Sequence, residues 1–218
     1  MRDFIGYLKN PVENYKLPAK KIWSVLLVFF LLYILKILVS VVCNIVFRDE
    51  TPDSSLRDMP VMLPLWFALF VPPLIEELSF RLWLKRNTVT ILISSVCFIW
   101  CLASMFLADV IYSTDRLALR CIVALTGGIA FTLLLKKQII NAKFTIIFYL
   151  SAILFGLMHA HNFSDIVSFL GVLYVLLNLT MHVLSGLFLG YVRIGYGIVA
   201  SFLFHIANNL VIIYLYLR

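Results

Sequence analysis

The chain has 218 residues, 63% of them apolar and only 13% charged. A soluble domain carries about 45–50% apolar and about 25% charged residues, and one of this length exposes too much of itself to hide such a surplus. The net charge is +7, but the basic residues form no cluster of the kind that binds nucleic acid. The composition also excludes a disordered chain and a disulfide-stapled secreted domain. An all-α, polytopic membrane protein remains, and the few polar residues inside its apolar mass are the informative ones.

Residues 1–21 read as a basic tail. A span needs about 20 mostly apolar residues. Seven stretches qualify in chain order: Ile22–Phe47, Met59–Leu84, Thr88–Val110, Leu117–Leu135, Phe144–Ala160, Ile166–Val192 and Ile198–Leu217. The expectation is therefore about seven transmembrane helices, within a range of about six to eight. Residues 22–217 form one membrane domain, joined by short polar connections at 48–57, 112–116, 136–143 and 193–197, with no repeat and no soluble insertion. The first span follows a charged tail and precedes no small-residue cleavage site, so it reads as a retained helix and not a signal peptide. The tail, Arg81–Arg86, Lys136–Lys143 and Arg193 hold twelve basic residues. The opposite side holds five, Arg48, Arg57, Arg116, Arg120 and Arg218, beside Asp49, Glu50, Asp53 and Asp58. The imbalance places the N-terminus in the cytoplasm and the C-terminus outside.

A charge deep in a span is costly and marks a functional site or a buried pair. The densest case is Pro72-Pro73-Leu74-Ile75-Glu76-Glu77-Leu78-Ser79-Phe80-Arg81. Two adjacent prolines predict a kink or the start of a new helical segment. Glu77 and Arg81 are spaced i,i+4 with the acid first, the favourable order for an ion pair. Glu76 lies about 100° round the helix from Glu77, so one carboxylate is paired and the other is free to meet a different element. On its own the segment equally describes a helix end reaching for headgroups.

All four histidines fall in the last third: His159, His161, His182 and His205. Phe155 shares a helix face with His159, and Asn209 shares one with His205. An imidazole and a carboxamide buried in an apolar helix each need a partner, although a lone intramembrane histidine is often a plain interhelical hydrogen bond. Glu76, His159 and His205 with Asn209, on three helices, supply a base, two imidazoles and an amide donor. Those are the parts that activate water and stabilise an oxyanion. His161 is about 200° from His159 and reads as a loop residue. His182, near Ser185, reads as an interhelical hydrogen-bonder. Gly186 and Gly190 have the spacing for close helix packing, Lys36 reads as a snorkelling side chain, and Trp23, Trp66, Trp83 and Tyr196 as interfacial aromatics. Cys43, Cys97, Cys101 and Cys121 all lie in apolar runs and read as free thiols, although Cys97 and Cys101 share a face that would suit a metal.

Glu76-Glu77-x-x-x-Arg81, Phe155-x-x-x-His159 and His205-x-x-x-Asn209, in that order, resemble the motifs of the CPBP (Abi) family of intramembrane proteases. That family contains CAAX prenyl endopeptidases and bacterial proteins linked to bacteriocin processing or immunity. Gly186-Leu-Phe-Leu-Gly190-Tyr-Val-Arg193-Ile-Gly195 resembles the family's glycine-rich approach to its last motif. The resemblance covers about residues 63–211. It implies an endopeptidase of a cell membrane, bacterial by the family's range, acting on a membrane-associated peptide or protein that is prenylated or carries a leader. Glu76 would activate water, Glu77 and Arg81 would support it, and His159 would position or ligate. His205 and Asn209 would complete the water site and oxyanion hole. The stretch between Glu76 and His159 holds two more apolar segments than the family pattern implies.

Three questions stay open in the sequence. By counting, Glu76 lies toward the inner end of its span and His159 toward the outer end of its own, so a break at the prolines or a tilted segment must bring them together. His159 and His205 with a glutamate are the ligand set of several catalytic zinc sites. Zinc, another divalent ion or no metal are all compatible with the motifs, because the H-E-x-x-H helix signature is absent. A membrane scaffold or immunity protein could keep the same helices without hydrolysis. A transporter, the other user of intramembrane Glu and His, would carry inverted repeats, and none is visible.

Overall fold

The computed structural model describes residues 2–47, 65–108, 114–163 and 168–216. Their regular structure is helical: α1 (Arg2–Lys9), α2 (Ile22–Val46), α3 (Leu65–Phe80), α4 (Thr88–Leu107), α5 (Leu117–Asn141), α6 (Phe144–Met158), α7 (Phe169–Tyr196) and α8 (Ile198–Tyr216). Single 3-10 turns follow α3 at Leu82–Lys85 and α6 at His159–Asn162. Long apolar runs become helices because a helix satisfies every backbone group internally in a medium without water. The starts are set by caps. Asn87 Oδ1 accepts from Thr90 N at 2.9 Å while Thr90 Oγ1 accepts from Asn87 N at 3.2 Å, a reciprocal cap for α4. Ser168 Oγ accepts from Gly171 N at 2.9 Å at the start of α7.

Five of the predicted spans are long and apolar enough to cross a membrane: Ala19–Cys43, Thr88–Leu107, Leu117–Asn141, Phe144–His161 and Phe169–Tyr196. The large exposed side chains of α2, among them Leu27, Phe30, Ile34 and Leu38, are apolar as lipid contact requires. The other two candidates are shorter where described. Ile198–Leu210 is a short apolar stretch of α8, and α3 has 16 residues. The expected start of the second span at Met59 lies outside the described residues, and its expected end at Leu84 is corrected to Phe80. The chain also stays helical through Pro72 and Pro73 without starting a new segment. A proline's fixed φ of about −65° is helical, and neighbouring helices offset its missing hydrogen bond.

The arrangement pairs α4 with α5 and α6 with α7, and seats α8 against α7 and α3. The two extra segments between Glu76 and His159 are thus a hairpin, α4–α5, that meets α3 through α4. The tight turn from α7 to α8 depends on Gly197, whose φ of 96° lies in the left-handed region. Small residues let α6 and α7 approach closely. A Cβ on Gly186 would lie 3.0 Å from Ala152 Cα, and one on Gly156 would lie 2.3 Å from Val183 Cγ2 and 3.0 Å from its backbone nitrogen. Val183 is β-branched and cannot swing aside freely. Gly156→Ala is therefore expected to destabilise the protein by about 1–3 kcal/mol, the usual cost of overpacking. Thermal unfolding in detergent checks it, and an unchanged midpoint would contradict the close approach.

The basic segments gather at one end of the bundle. Arg86 Nε donates to Glu13 at 3.0 Å and Arg86 Nη1 to the Ala142 carbonyl at 2.9 Å, tying the N-terminal segment to the α5–α6 turn. Leu17 N donates to the Gly195 carbonyl at 3.2 Å, and Tyr196 Oη to the Pro18 carbonyl at 3.2 Å. The sequence reading assigned no element to the first 21 residues. The structure gives α1, whose Tyr7 is buried and whose Phe4 ring lies 5.2 Å from that of Tyr191 on α7. At the other end, Arg120, counted among the outer charges, is fully buried with its guanidinium 4.9 Å from the Trp100 ring. Arg48, Asp49, Glu50, Asp53, Arg57, Asp58 and Arg218 lie outside the described residues.

Candidate active site

Four helices contribute to one polar cluster. Glu76 and Glu77 come from the last turns of α3, with Arg81 just beyond its end. Phe155 and His159 come from the end of α6, His182 from the middle of α7, and Ser201 and His205 from α8.

Glu77 is fully buried and fully engaged. Its Oε1 accepts from His205 Nδ1 at 3.0 Å, and its Oε2 accepts from Ser201 Oγ at 2.5 Å. Ser201 Oγ also lies 3.0 Å from the Leu189 carbonyl of α7, so its single proton is shared between two acceptors. Arg81, also fully buried, brings its Nε to 3.7 Å from Glu77 Oε1, the i,i+4 ion pair expected from the sequence. No nitrogen of that guanidinium makes a hydrogen bond. Its carbon sits instead 3.9 Å from the centre of the Phe155 ring, a cation–π contact that desolvation strengthens.

Glu76 is placed differently. Its side chain is 20% exposed, and its Oε2 lies 3.4 Å from His205 Nε2 without a hydrogen-bond partner in the protein. With Glu77 ionised, the Nδ1 proton belongs to His205, and Nε2 is the nitrogen turned toward Glu76. The adjacent carboxylates therefore have different environments: Glu77 holds His205 in place, and Glu76 faces the other side of the same ring.

His159 donates Nδ1–H to the Phe155 carbonyl at 2.8 Å, which leaves the Nε2 lone pair unused. Its ring meets the Phe155 ring edge-on at 4.8 Å, and His205 meets the same ring at 5.7 Å. Phe155 thus organises Arg81 and both histidines around one aromatic side chain.

The expected separation of Glu76 and His159 closes for a simple reason. Ser151 Oγ donates to the Phe80 carbonyl, so α3 ends level with the middle of α6, well inside the bundle. Counting from that level, Glu76 is four residues back along α3, about 6 Å, and His159 eight residues on along α6, about 12 Å. The helices run in opposite directions, so both residues lie on the same side of the level, offset by about 6 Å. Neither a break at the prolines nor a re-entrant segment is needed.

Asn209 stands one turn beyond His205, and its Oδ1 accepts from Asn208 Nδ2 at 3.2 Å. No described hydrogen bond joins it to Glu76 or His159. His161 is exposed and binds the Met158 carbonyl at 2.6 Å, away from the cluster. His182 was read as a plain hydrogen-bonder, yet its ring stacks on His159 with centroids 3.8 Å apart and planes 17° from parallel. Ser201, one turn before His205 on α8, was missed, because a hydroxyl can satisfy itself on its own helix. Among the described residues, no group of three His, Cys, Asp or Glu side chains is arranged to hold a metal ion. Cys97 and Cys101 are free, and Cys101 Sγ lies 3.8 Å from Ser79 Oγ.

Searches among curated proteins and among solved structures found no match. The family of Rce1-like type II CAAX prenyl endopeptidases matches residues 58–211. That stretch is well over half the chain and contains Glu76, Glu77, Arg81, Phe155, His159, His182, Ser201, His205 and Asn209. The motifs in their order, the helices that carry them and this match agree: the chain is a multi-pass membrane protein of the Rce1-like type II CAAX prenyl endopeptidase family.

Proposed function

We propose that this protein hydrolyses a peptide bond in a membrane-associated peptide or protein, of CAAX type and prenylated, with Glu76 as the general base. The observation that supports it is the division between adjacent carboxylates. Glu77 has both oxygens occupied, whereas Glu76 has one oxygen facing His205 Nε2 and without a protein partner.

In the proposed reaction Glu76 removes a proton from a water molecule, and the water oxygen attacks the scissile carbonyl carbon. His159, fixed through Nδ1, offers Nε2 to the water and keeps it in line. Asn209, whose Oδ1 is occupied by Asn208, has its amide nitrogen to donate to the developing oxyanion. Collapse of the tetrahedral intermediate breaks the carbon–nitrogen bond, and the proton held by Glu76 passes to the leaving amine. The products are one carboxylate and one amine. Glu77, Arg81 and Ser201 take no proton and act by holding His205 in position. The basic end of the bundle is assigned to the cytoplasm on the excess of Lys and Arg there, which puts the N-terminus inside.

His205→Ala removes the imidazole that Glu76 faces and is expected to abolish cleavage of a prenylated CAAX peptide by the purified protein. Unchanged cleavage by equal amounts of protein would remove His205 from the mechanism, and no cleavage by the wild type would leave the non-catalytic scaffold or immunity reading. Zinc or another divalent ion is tested separately. The mechanism expects full activity after dialysis against a strong chelator, with metal content followed by elemental analysis. Loss of activity that added zinc restores would overturn the metal-free route.

A further inference from the structure

Lys36 takes no part in the cluster just described, and the structure does not treat it as a snorkelling side chain. It stands ten residues before the end of α2, about 15 Å along the helix, and its ammonium turns inward. Lys36 Nζ donates to Asn208 Oδ1 on α8 at 2.9 Å, and Asn208 in turn donates to Asn209. No carboxylate pairs with Lys36 among the described residues. The groove around it lies between α2, α7 and α8, with Phe29, Tyr33, Phe188 and Phe204 as apolar walls and Ser185 beside them. A cation in such a groove is costly unless an anion joins it, and one neutral amide acceptor leaves two of its three N–H donors for a ligand.

We infer that Lys36 binds the free C-terminal carboxylate of the substrate. The inference rests on the hydrolytic reading above and deepens it. A CAAX motif is by definition the end of a chain, so its substrate carries an α-carboxylate that is ionised at neutral pH. The spacing suits it. His205 and Asn208 are separated by about 4.5 Å of rise on one side of α8, and the ammonium is one hydrogen bond beyond Asn208. Three extended residues span about 10 Å, enough to run from the cleavage position beside His205 to Lys36. The space beside the ammonium is about 20 Å³, room for one or two water-sized groups such as the two oxygens of a carboxylate, and Asn208 holds the ammonium at its post.

The test compares two heptapeptides that end in farnesylated CVIS, one with a free acid and one with a C-terminal amide, on the purified protein in a neutral detergent. Binding is followed by fluorescence anisotropy and cleavage by chromatography. The wild-type protein is expected to bind the acid at least about tenfold more tightly than the amide, as a charge-assisted hydrogen bond gives. Lys36→Gln should bring that ratio to about one, and Lys36→Arg should restore part of it. Equal binding of acid and amide by the wild type, or a preference that survives Lys36→Gln, would overturn the assignment of Lys36. If the preference follows Lys36 but neither peptide is cut, the subsite stands and hydrolysis falls. If both are cut without preference, hydrolysis stands and the subsite falls. Displacement of the acid by phosphatidylglycerol, with no effect of amidation, would assign the ammonium to a lipid headgroup instead.

Discussion

Glu76→Gln is expected to lower kcat by a factor of about 10²–10⁴, the usual contribution of a general base, while leaving the fold intact. Glutamine keeps the size of the side chain and removes its basicity. Glu76 makes no hydrogen bond within the protein through Oε2 and is partly exposed. Its Oε2 is itself buried 3.4 Å from His205 Nε2, but a glutamine amide in its place can donate to that nitrogen, so the stability cost should stay within about 1 kcal/mol. Cleavage of a prenylated peptide and thermal unfolding of the same preparation separate the two effects. Activity within about tenfold of wild type at an unchanged unfolding midpoint would remove Glu76 from the role of base.

Glu77→Ala is expected to do the opposite, failing in stability before chemistry can be assessed. Its loss removes the ion-pair partner of Arg81 and withdraws the acceptor that fixes His205 Nδ1. Both partners are almost wholly buried. Removing one member of a buried charge pair costs about 3–5 kcal/mol because the other is left uncompensated. For a chain of this size that lowers the unfolding midpoint by roughly 10 °C. Differential scanning fluorimetry in detergent reads it directly. A midpoint within about 2 °C of wild type would mean that the pair contributes little to stability. The two neighbouring glutamates thus give opposite signatures, one kinetic and one thermodynamic, and exchanging them would refute the proposed division of roles.

Much of the site is legible in the sequence because a polar residue in an apolar run is costly wherever it sits. Glu76, Glu77, Arg81, His159 and His205 stand out on that ground alone, and the i,i+4 spacing of Glu77 and Arg81 specifies their ion pair. Ser201 carries no such penalty, since a hydroxyl can satisfy itself on its own helix, and only the partner across the interface shows its use. His182 and Lys36 were noticed, but one was read as a hydrogen-bonder and the other as a snorkelling side chain. Their actual neighbours, the His159 ring and the Asn208 amide, lie on other helices. The N-terminal helix α1 was hidden by its charge, because the basic count drew attention from Phe4 and Tyr7, which share a face and bury against α7.

The sequence by itself determined that the chain crosses a membrane several times, which helices carry the polar residues and which family's motifs they resemble. Those properties are local: the free energy of placing a side chain or a backbone in lipid depends mainly on that segment. The level of one helix against another was decided only by the tertiary structure. That α3 ends at Phe80, halfway along α6, follows from the joint fit of α3, α4, α6 and α8 and from the hydrogen bond of Ser151 to the Phe80 carbonyl. On that level depend the meeting of Glu76 with His205 and the enclosure of Glu77. The scarcity of charge shows where to look, and the height of α3 in the bundle decides which carboxylate is free to react.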